Sequence, residues 1–274
     1  MHIRRIPKSW HSICAYSERR CRLLIQSETF LRVEEKFRLS SAQAEQFLIA
    51  ARDHLTPDIY PEYDLNTIYY DTPDFYLINH CLNHPLYRLK LRLRSYGNPA
   101  VGAPVFLETK QRLGDWGEKR RVALTYNEQF SCALKPDDLP RDGQIAGELR
   151  QVLETYIVEP KVFIAYHRMA FAADNDLRIT LDTRIRSRMK NVNLVLDGTE
   201  TPLVSAPEVL LEVKLAGPYP CWLSSILTSL HVYPDSFSKY GSIYISYVKN
   251  LYRNYVLENE SAPAGEASVC LRPF

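Results

Sequence analysis

Four cations alternate with apolar residues in the segment 86–96, which reads Leu-Tyr-Arg-Leu-Lys-Leu-Arg-Leu-Arg-Ser-Tyr. A period of two predicts a β-strand with one apolar face and one charged face. The charged face carries Arg88, Lys90, Arg92 and Arg94. Neighbouring cations on it lie only about 7 Å apart and repel each other unless an anion faces them. Two interpretations follow: a basic, solvated face of a half-buried strand, or one wall of a site for a polyanion.

Other predicted strands share this alternation of charged and apolar residues. Their charged positions are Arg32, Glu34 and Lys36; Glu108 and Lys110; Arg168; Arg178 and Asp182; and Glu212 and Lys214. An open sheet with one solvated face, the outside of a sandwich, or a closed antiparallel barrel with a polar interior would each show this pattern. The barrel explains most, because predicted helices at 41–55, 143–156 and 221–230 would cover its apolar outer face. The fold class predicted is therefore α+β, a closed antiparallel β-barrel with a polar, basic lumen and helices packed outside.

The chemistry of these charged residues favours phosphate. Guanidinium groups bind phosphate oxygens in a bidentate way, and arginine outnumbers lysine on the strand that we considered first. Interspersed glutamates could hold a divalent cation, which would share its coordination with phosphate oxygens. The glutamate and lysine at 212 and 214 could instead form a simple ion pair within one strand. Asp182 could lie near a metal ion or could pair with Arg178 or Arg184.

The chain is predicted to form one folded domain, residues 28–254, preceded by an extension (1–27) and followed by a disordered tail (255–274). Ser40 and Gln43 form a plausible capping box for the first helix, which Pro57 and Pro61 are expected to end. A strand is predicted at 65–70 and a last helix at about 242–252. The tail is rich in serine, alanine, proline and glycine, a composition typical of disorder.

Composition and motifs argue against several classes of function. The 274 residues carry a formal net charge of only +2, which argues against non-specific nucleic-acid binding. Six scattered cysteines without a C-x-x-C pair favour reduced thiols and a cytoplasmic location over disulfides or structural zinc. We identify no secretory signal and no apolar run long enough to span a membrane, so work at a membrane would need a partner protein. Motifs of P-loop nucleotide binding and of zinc or Ser/His/Asp hydrolases are missing from the sequence.

Eight short motifs, in order, resemble one known family. They are Arg-Val-Glu-Glu-Lys-Phe (32–37), Ile-Tyr-Tyr-Asp-Thr (68–72), Arg-Leu-Lys-Leu-Arg-Leu-Arg-Ser-Tyr (88–96), Leu-Glu-Thr-Lys (107–110), Tyr-His-Arg-Met-Ala-Phe (166–171), Leu-Arg-Ile-Thr-Leu-Asp (177–182), Leu-Glu-Val-Lys (211–214) and Ser-Phe-Ser-Lys-Tyr (236–240). Over residues 28 to 254 the chain resembles the VTC-type polyphosphate polymerase domain of the CYTH, or triphosphate tunnel metalloenzyme, superfamily.

The resemblance implies a tunnel-shaped barrel that transfers the γ-phosphoryl group of ATP to a growing polyphosphate chain, with Mn²⁺ or Mg²⁺ as cofactor. ATP and polyphosphate are thus the expected partners. The residues that it implies for catalytic phosphate contacts are Arg92, Arg94, Lys110, Arg168, Arg178 and Lys239. Further phosphate-binding residues are Arg32, Lys36, Arg88, Lys90 and Lys214. Glu212 is implied as the principal metal ligand, with Glu34 and Glu108 as secondary carboxylates.

One departure bears on the reaction. The first strand reads Arg-x-Glu-x-Lys where hydrolases of the superfamily more often have Glu-x-Glu-x-Lys, so Arg32 favours the polymerase branch and disfavours a two-metal site. Two alternatives remain open. One is a triphosphatase acting on inorganic triphosphate, thiamine triphosphate or a nucleotide. The other is a module that binds polyphosphate or inositol phosphates without turnover.

Overall fold

The computed structural model describes residues 28–30, 33–83, 86–114, 116–203 and 206–260. Its strands are β1 (Glu28–Phe30), β2 (Val33–Leu39), β3 (Thr56–Asp71), β4 (Tyr87–Tyr96), β5 (Pro104–Leu113), β6 (Trp116–Thr125), β7 (Glu159–Ala173), β8 (Leu177–Arg188), β9 (Thr201–Pro202) and β10 (Val209–Leu215). Its α-helices are α1 (Ser41–Ala51), α2 (Tyr76–Leu82), α3 (Gln144–Thr155), α4 (Cys221–Ser229) and α5 (Lys239–Glu260).

The strands form one antiparallel sheet in the order β1-β6-β5-β4-β3-β7-β8-β10-β2, with β9 beside β8. This path of paired strands is open among the described residues. Its two ends, β1 and β2, are nevertheless separated in sequence by only two residues, so the Cα atoms of Phe30 and Val33 are at most about 11 Å apart. Lys110 of β5 also contacts Glu34 of β2 at 2.9 Å. The sheet therefore curls until its ends meet around a lumen.

Helices cover the apolar outer face of the curled sheet on two sides. Leu91 and Leu93 of β4 are fully buried in the cluster that also contains Leu149 of α3. On the other side, Phe47 of α1 and Leu223 of α4 pack against apolar residues of β2, β8 and β10. The predicted α+β class, with helices outside and charges inside, is confirmed.

A third apolar cluster lies inside the curled sheet. Inward-facing residues of four strands pack there against Phe237, Tyr240 and Ile243, at the start of α5 and in the stretch before it. Residues 234–243 will be called the floor segment, because they cross one end of the lumen. The floor segment pairs with β2 through a bridge between Pro234 and Phe37.

Several element bounds differ from the sequence-based predictions. The capping box is present, since the Ser40 side chain accepts from the Gln43 backbone and the Gln43 side chain accepts in return. Pro57 and Pro61 do not separate a helix from a strand: they lie within β3, whose pairing with β7 is irregular between Pro57 and Glu62. Proline is tolerated at such irregularities, where a backbone donor is not needed.

The last helix continues to Glu260, past the predicted tail boundary at residue 254. Residues 1–27 and 261–274, the predicted extension and most of the predicted tail, lie outside the described residues. Within the described part of the chain, helices are either too short or too polar to cross a membrane.

Candidate functional site

Strand register brings the predicted charged residues together on the inner face of the sheet. Arg92 pairs with Tyr69 and Glu108, while Glu212 pairs with Lys36 and Thr180. Ten described cations share the lumen with four carboxylates. The cations are Lys36, Lys90, Arg92, Arg94, Lys110, Lys119, Arg121, Arg168, Lys214 and Lys239, and the carboxylates are Glu34, Glu108, Asp182 and Glu212. The lumen is therefore strongly positive although the whole chain is nearly neutral.

Glu108 lies at the centre of the first charge cluster, on β5. Its fully buried carboxylate is 2.8 Å from both Arg92 and Arg121, 3.1 Å from Lys119 and 3.7 Å from Arg94. Burial acts to raise the pKa of Glu108, but the surrounding cations outweigh it and hold this pKa well below its usual value. Glu108 thus fixes four cations in place while neutralising only one of them.

Two tyrosines contact the guanidinium groups of this cluster. Arg92 donates to the Tyr69 hydroxyl at 3.4 Å, and Arg94 donates to the Tyr166 hydroxyl at 3.4 Å. Burial acts to raise the pKa of Tyr69, yet the nearby Arg92 and Lys90 lower it to about 8. Lys119 has its pKa lowered to about 7, chiefly by burial and in spite of Glu108.

Asp182 and Glu212 form the centre of the second cluster. Arg168 donates to both oxygens of Asp182, at 2.5 and 2.7 Å, and to Glu212 at 3.1 Å. Lys239, the first residue of α5, donates to Asp182 at 2.6 Å and to Glu212 at 3.3 Å. Burial opposes the charge of Glu212, but Lys239 and Arg168 keep its pKa well below normal. Asp182 consequently pairs with Arg168 and Lys239, not with Arg178 or Arg184.

Glu34, on β2, contacts a third and more exposed group of cations. Lys110 contacts it at 2.9 Å, Lys36 at 3.7 Å and Lys214 at 4.0 Å. Burial lowers the pKa of Lys214 to about 8, although Glu34 and Glu212 counteract it. Lys214 and Arg178 lie opposite each other on β10 and β8, at the exposed end of these strands.

Not all predicted residues join these clusters. Arg178 forms its ion pair with Asp58 of β3, at 2.9 Å, at the outer end of the sheet. Arg88 has a buried Nε without a hydrogen-bond partner, and Lys90 donates to Ser238 of the floor segment at 3.0 Å. Arg32 lies outside the described residues.

Sequence reasoning overlooked several members of the site. Lys119 and Arg121 lie opposite Lys110 and Glu108 in the β5–β6 hairpin, so the hairpin register could have identified them. Tyr166 carries no comparable signal, because an inward tyrosine is also ordinary wall packing. Thr180 has a buried hydroxyl with no hydrogen-bond partner and lies opposite Glu212, which leaves it free to donate to a ligand.

The carboxylates were tested for their fit to a metal ion. The described residues contain no group of three histidine, cysteine, aspartate or glutamate side chains arranged to hold one. Glu108 contacts four cations directly, whereas Glu34 and Glu212 lie on the neighbouring strands β2 and β10, and the charge of Glu212 acts to raise the pKa of Glu34. Mg²⁺-type ions commonly use one or two carboxylates and complete their coordination with substrate phosphates. Glu34 and Glu212 fit that arrangement, and Glu108 does not.

Comparison with known protein families shows which family the chain belongs to. The model of the VTC domain matches residues 31–247, which include every strand of the lumen except β1. The chain belongs to the VTC domain family. Searching curated proteins with the sequence gives no match.

Solved structures similar to this VTC domain share little sequence with it. An adenylate cyclase candidate from Bacillus halodurans has 14% identity and a TM-score of 0.48, covering 77% of this chain and 95% of its own. An adenylyl cyclase candidate from Hippeastrum, reported to have a dominant triphosphatase activity, has 14% identity and a TM-score of 0.45, covering 76% of this chain and 93% of its own. A further adenylate cyclase candidate, from Vibrio parahaemolyticus, has 14% identity and a TM-score of 0.42, covering 79% and 99%.

Proposed function

We propose that this VTC-domain protein is a metal-dependent polyphosphate polymerase that transfers the γ-phosphoryl group of ATP to an inorganic polyphosphate chain. The observation that carries the proposal is the surplus of cations in the lumen, where ten lysines and arginines share four carboxylates. Like charges at this density repel, so the lumen is suited to a ligand that brings several negative charges at once. A chain of linked phosphates is such a ligand.

The cations are already positioned before any ligand binds. Glu108 holds Arg92 and Arg121, while Asp182 holds Arg168 and Lys239, each at hydrogen-bond distance. Phosphoryl transfer requires little covalent chemistry from the protein, so positioning and neutralisation of the transferred group supply most of the rate enhancement. In this proposal Arg92, Arg94, Arg168 and Lys239 bind the phosphoryl oxygens, and Thr180 donates its unpaired hydroxyl to one of them.

Glu34 and Glu212 would hold Mn²⁺ or Mg²⁺ together with phosphate oxygens. Such an ion, when bound, neutralises charge that develops on the phosphoryl group. Arg168 and Lys239 would remain beside Glu212 on its protein side, at 3.1 and 3.3 Å, and would orient its carboxylate. Glu108 acts here as the counter-charge of four cations, in place of the secondary metal role that the resemblance implied.

The test is to incubate the purified protein with ATP and Mn²⁺ or Mg²⁺ and to separate the products by gel electrophoresis. Acid-labile chains longer than triphosphate support the polymerase. Free phosphate without longer chains supports a triphosphatase, and tight binding without turnover supports a binding module. Omitting the metal from otherwise identical reactions tests the cofactor.

A triphosphatase is the second candidate because of the floor segment. Phe237 and Tyr240 pack against the inner face of the sheet at one end of the lumen, where they would obstruct a growing chain that left by that end. Water as acceptor needs no such exit. In that case the same cations would bind a triphosphate, and the same gel would show only free phosphate.

A further inference from the structure

Three aromatic residues meet on the inner face of the sheet, where β4 ends and β5 begins. Tyr96 is the last residue of β4, and its ring lies 5.5 Å from that of Tyr63 in β3 and 5.8 Å from that of Phe106 in β5. Phe106 lies opposite Arg94, and alternation along β4 places Tyr96 on the same face as Arg94. Tyr63, Tyr96 and Phe106 will be called the aromatic cluster.

Tyr96 has a fixed orientation although half of it is exposed. The rings of Tyr63 and Phe106 stand at 66° and 77° to the Tyr96 ring, which are edge-type contacts. The Tyr96 hydroxyl accepts a hydrogen bond from Arg121 at 3.0 Å. Among the described residues no ring lies parallel to Tyr96, and 50% of its surface is exposed. The exposed part of the ring is thus available to a flat ligand.

Arg121 connects the aromatic cluster to the cations of the first charge cluster. The Arg121 guanidinium lies over the Phe106 ring, 4.2 Å from its centre, while it donates to the Tyr96 hydroxyl. The same guanidinium donates to Glu108 at 2.8 Å, and Glu108 in turn contacts Arg94 at 3.7 Å. The half-exposed ring therefore lies beside cations to which the proposed function assigns phosphoryl oxygens.

Tyr63 connects the aromatic cluster to the second charge cluster. It lies opposite Arg168 in the pairing of β3 with β7. Burial raises the pKa of the Tyr63 hydroxyl, although Arg168 and Arg178 act to lower it. The hydroxyl consequently stays neutral and does not repel an anion that approaches Arg168. Both charge clusters thus adjoin the aromatic cluster.

We propose that Tyr96 is the base-stacking residue for the nucleotide, with the purine of ATP against its ring and the phosphates extending past Arg121 into the lumen. An inorganic phosphate chain carries no group that could use an exposed aromatic ring beside these cations. A nucleotide carries a flat base and several phosphates in one molecule. The inference rests on the proposed function in taking ATP as the phosphoryl donor, and goes beyond it by assigning a residue and a position to the base.

Stacking on Tyr96 predicts a measurable share of the affinity for ATP. Base–aromatic stacking contributes roughly 5- to 150-fold in affinity per base, as judged by alanine substitution of the aromatic residue. Ribose 5-triphosphate has the phosphates and the sugar of ATP without the base. We therefore expect it to bind at least about five-fold more weakly than ATP.

Calorimetric titration of the full chain with ATP, ribose 5-triphosphate and inorganic triphosphate tests this inference. EDTA is present throughout, so that metal-dependent turnover does not consume the ligands. Tyr96→Ala should lose the preference for ATP over ribose 5-triphosphate while keeping its affinity for inorganic triphosphate, which also shows that the variant is folded. Tyr96→Phe, which loses the hydrogen bond from Arg121 but keeps the ring, should retain the preference. Tyr252→Ala is the matched control, since Tyr252 is 69% exposed on α5, and should bind all three ligands as the wild type does.

Equal binding of ATP and ribose 5-triphosphate by the wild type would overturn the inference. A preference for ATP that survives in Tyr96→Ala would also overturn it, because the base would then bind elsewhere. If Tyr96→Ala weakens ATP and inorganic triphosphate by the same factor, Tyr96 acts only by holding Arg121, and the inference is again wrong. Each of these results leaves the proposed function standing, whereas a wild type that binds none of the three ligands would contradict the proposed function and the inference together.

Discussion

Glu108 and Glu212 are both buried lumen carboxylates, yet their surroundings give them different roles. Four cations lower the pKa of each carboxylate, but all four contact Glu108 directly, whereas Glu212 contacts only Arg168 and Lys239 and also lies near Glu34. A carboxylate with an acidic neighbour can bind a divalent cation, because the added charge relieves their repulsion. Glu108 lacks this reason to bind one, because its direct ionic contacts among the described residues are with cations alone.

Glu212→Gln is therefore expected to lower turnover at least about a hundred-fold, the scale on which electrostatic groups of an active site act, and to leave the affinity for inorganic triphosphate without metal nearly unchanged. Initial rates with ATP and calorimetric titration measure the two quantities. Glu148→Gln is the matched control, because Glu148 pairs with Arg120 outside the lumen. Full activity of Glu212→Gln would remove Glu212 from the metal site.

Lys119 makes phosphate binding sensitive to pH. Its pKa of about 7 results chiefly from burial, so the side chain is cationic below pH 7 and loses its charge as the pH rises. The affinity for inorganic triphosphate should consequently begin to fall near pH 7. Lys90 and Lys214, each with a pKa of about 8, extend the fall to higher pH.

Titration calorimetry from about pH 6 to about pH 9 measures this dependence. The ligand's own ionisation changes in the same range, so the informative quantity is the difference between the wild type and Lys119→Arg, whose guanidinium stays charged. Lys119→Arg should bind several-fold more tightly than the wild type at pH 8 and equally at pH 6. Parallel curves for the two proteins would exclude Lys119 as the titrating group.

Side-chain alternation predicted which residues face the lumen, but not their partners. Arg92, Arg94, Lys110 and Glu212 were placed on the correct face from period two alone, because that period fixes the face of every strand residue. The pairing of Asp182 with Arg168 and Lys239 joins β7, β8 and α5. Arg168 and Asp182 face each other across the β7–β8 hairpin, whereas the contact of Lys239 with Asp182 joins residues 57 positions apart and depends on tertiary packing, which local pattern does not encode.

At the scale of elements, the bounds of some strands were predicted closely, whereas the lengths of β3 and α5 were not. Strand β10 has the predicted bounds, Val209–Leu215. Strand β3 begins at Thr56 because its first half pairs with β7, with an irregularity between Pro57 and Glu62. This tertiary pairing outweighs the tendency of Pro57 and Pro61 to interrupt a strand. Helix α5 extends past residue 254, although apolar residues become fewer toward its C-terminal end.

The anchor of α5 gives a prediction about stability. Tyr240→Phe removes the hydroxyl that donates to the buried Asp71 carboxylate at 2.8 Å, and the stranded acceptor should lower the free energy of unfolding by about 1–3 kcal/mol. Tyr252→Phe is the control on the same helix, since that side chain is 69% exposed, and should change stability by less than about 0.5 kcal/mol. Urea denaturation compares them; equal midpoints would show that Tyr240 does not anchor the floor.

At the scale of the whole molecule, charge is distributed unevenly between inside and outside. The formal net charge is +2, and ten of the described cations lie in the lumen with four carboxylates. This arrangement follows from placing basic residues on the concave face of a curled sheet and carboxylates largely outside it. Electrostatic attraction to a polyanion is therefore confined to ligands slender enough to enter.

Nucleic acids are polyanions that should fail to enter. The side chains of Arg94, Arg168 and Lys239 are only about a tenth exposed, so a phosphate must enter the lumen to reach them. Sugars and bases attached to every phosphate make a nucleic-acid strand too wide for this, whereas an inorganic phosphate chain carries nothing but oxygen. We expect long polyphosphate to bind at least about a hundred-fold more tightly than single-stranded DNA of equal charge at physiological salt, where purely electrostatic DNA binding is weak. Competition of both polymers against a fluorescent triphosphate analogue measures the ratio, and comparable affinities would place the phosphate-binding surface on the outside of the sheet.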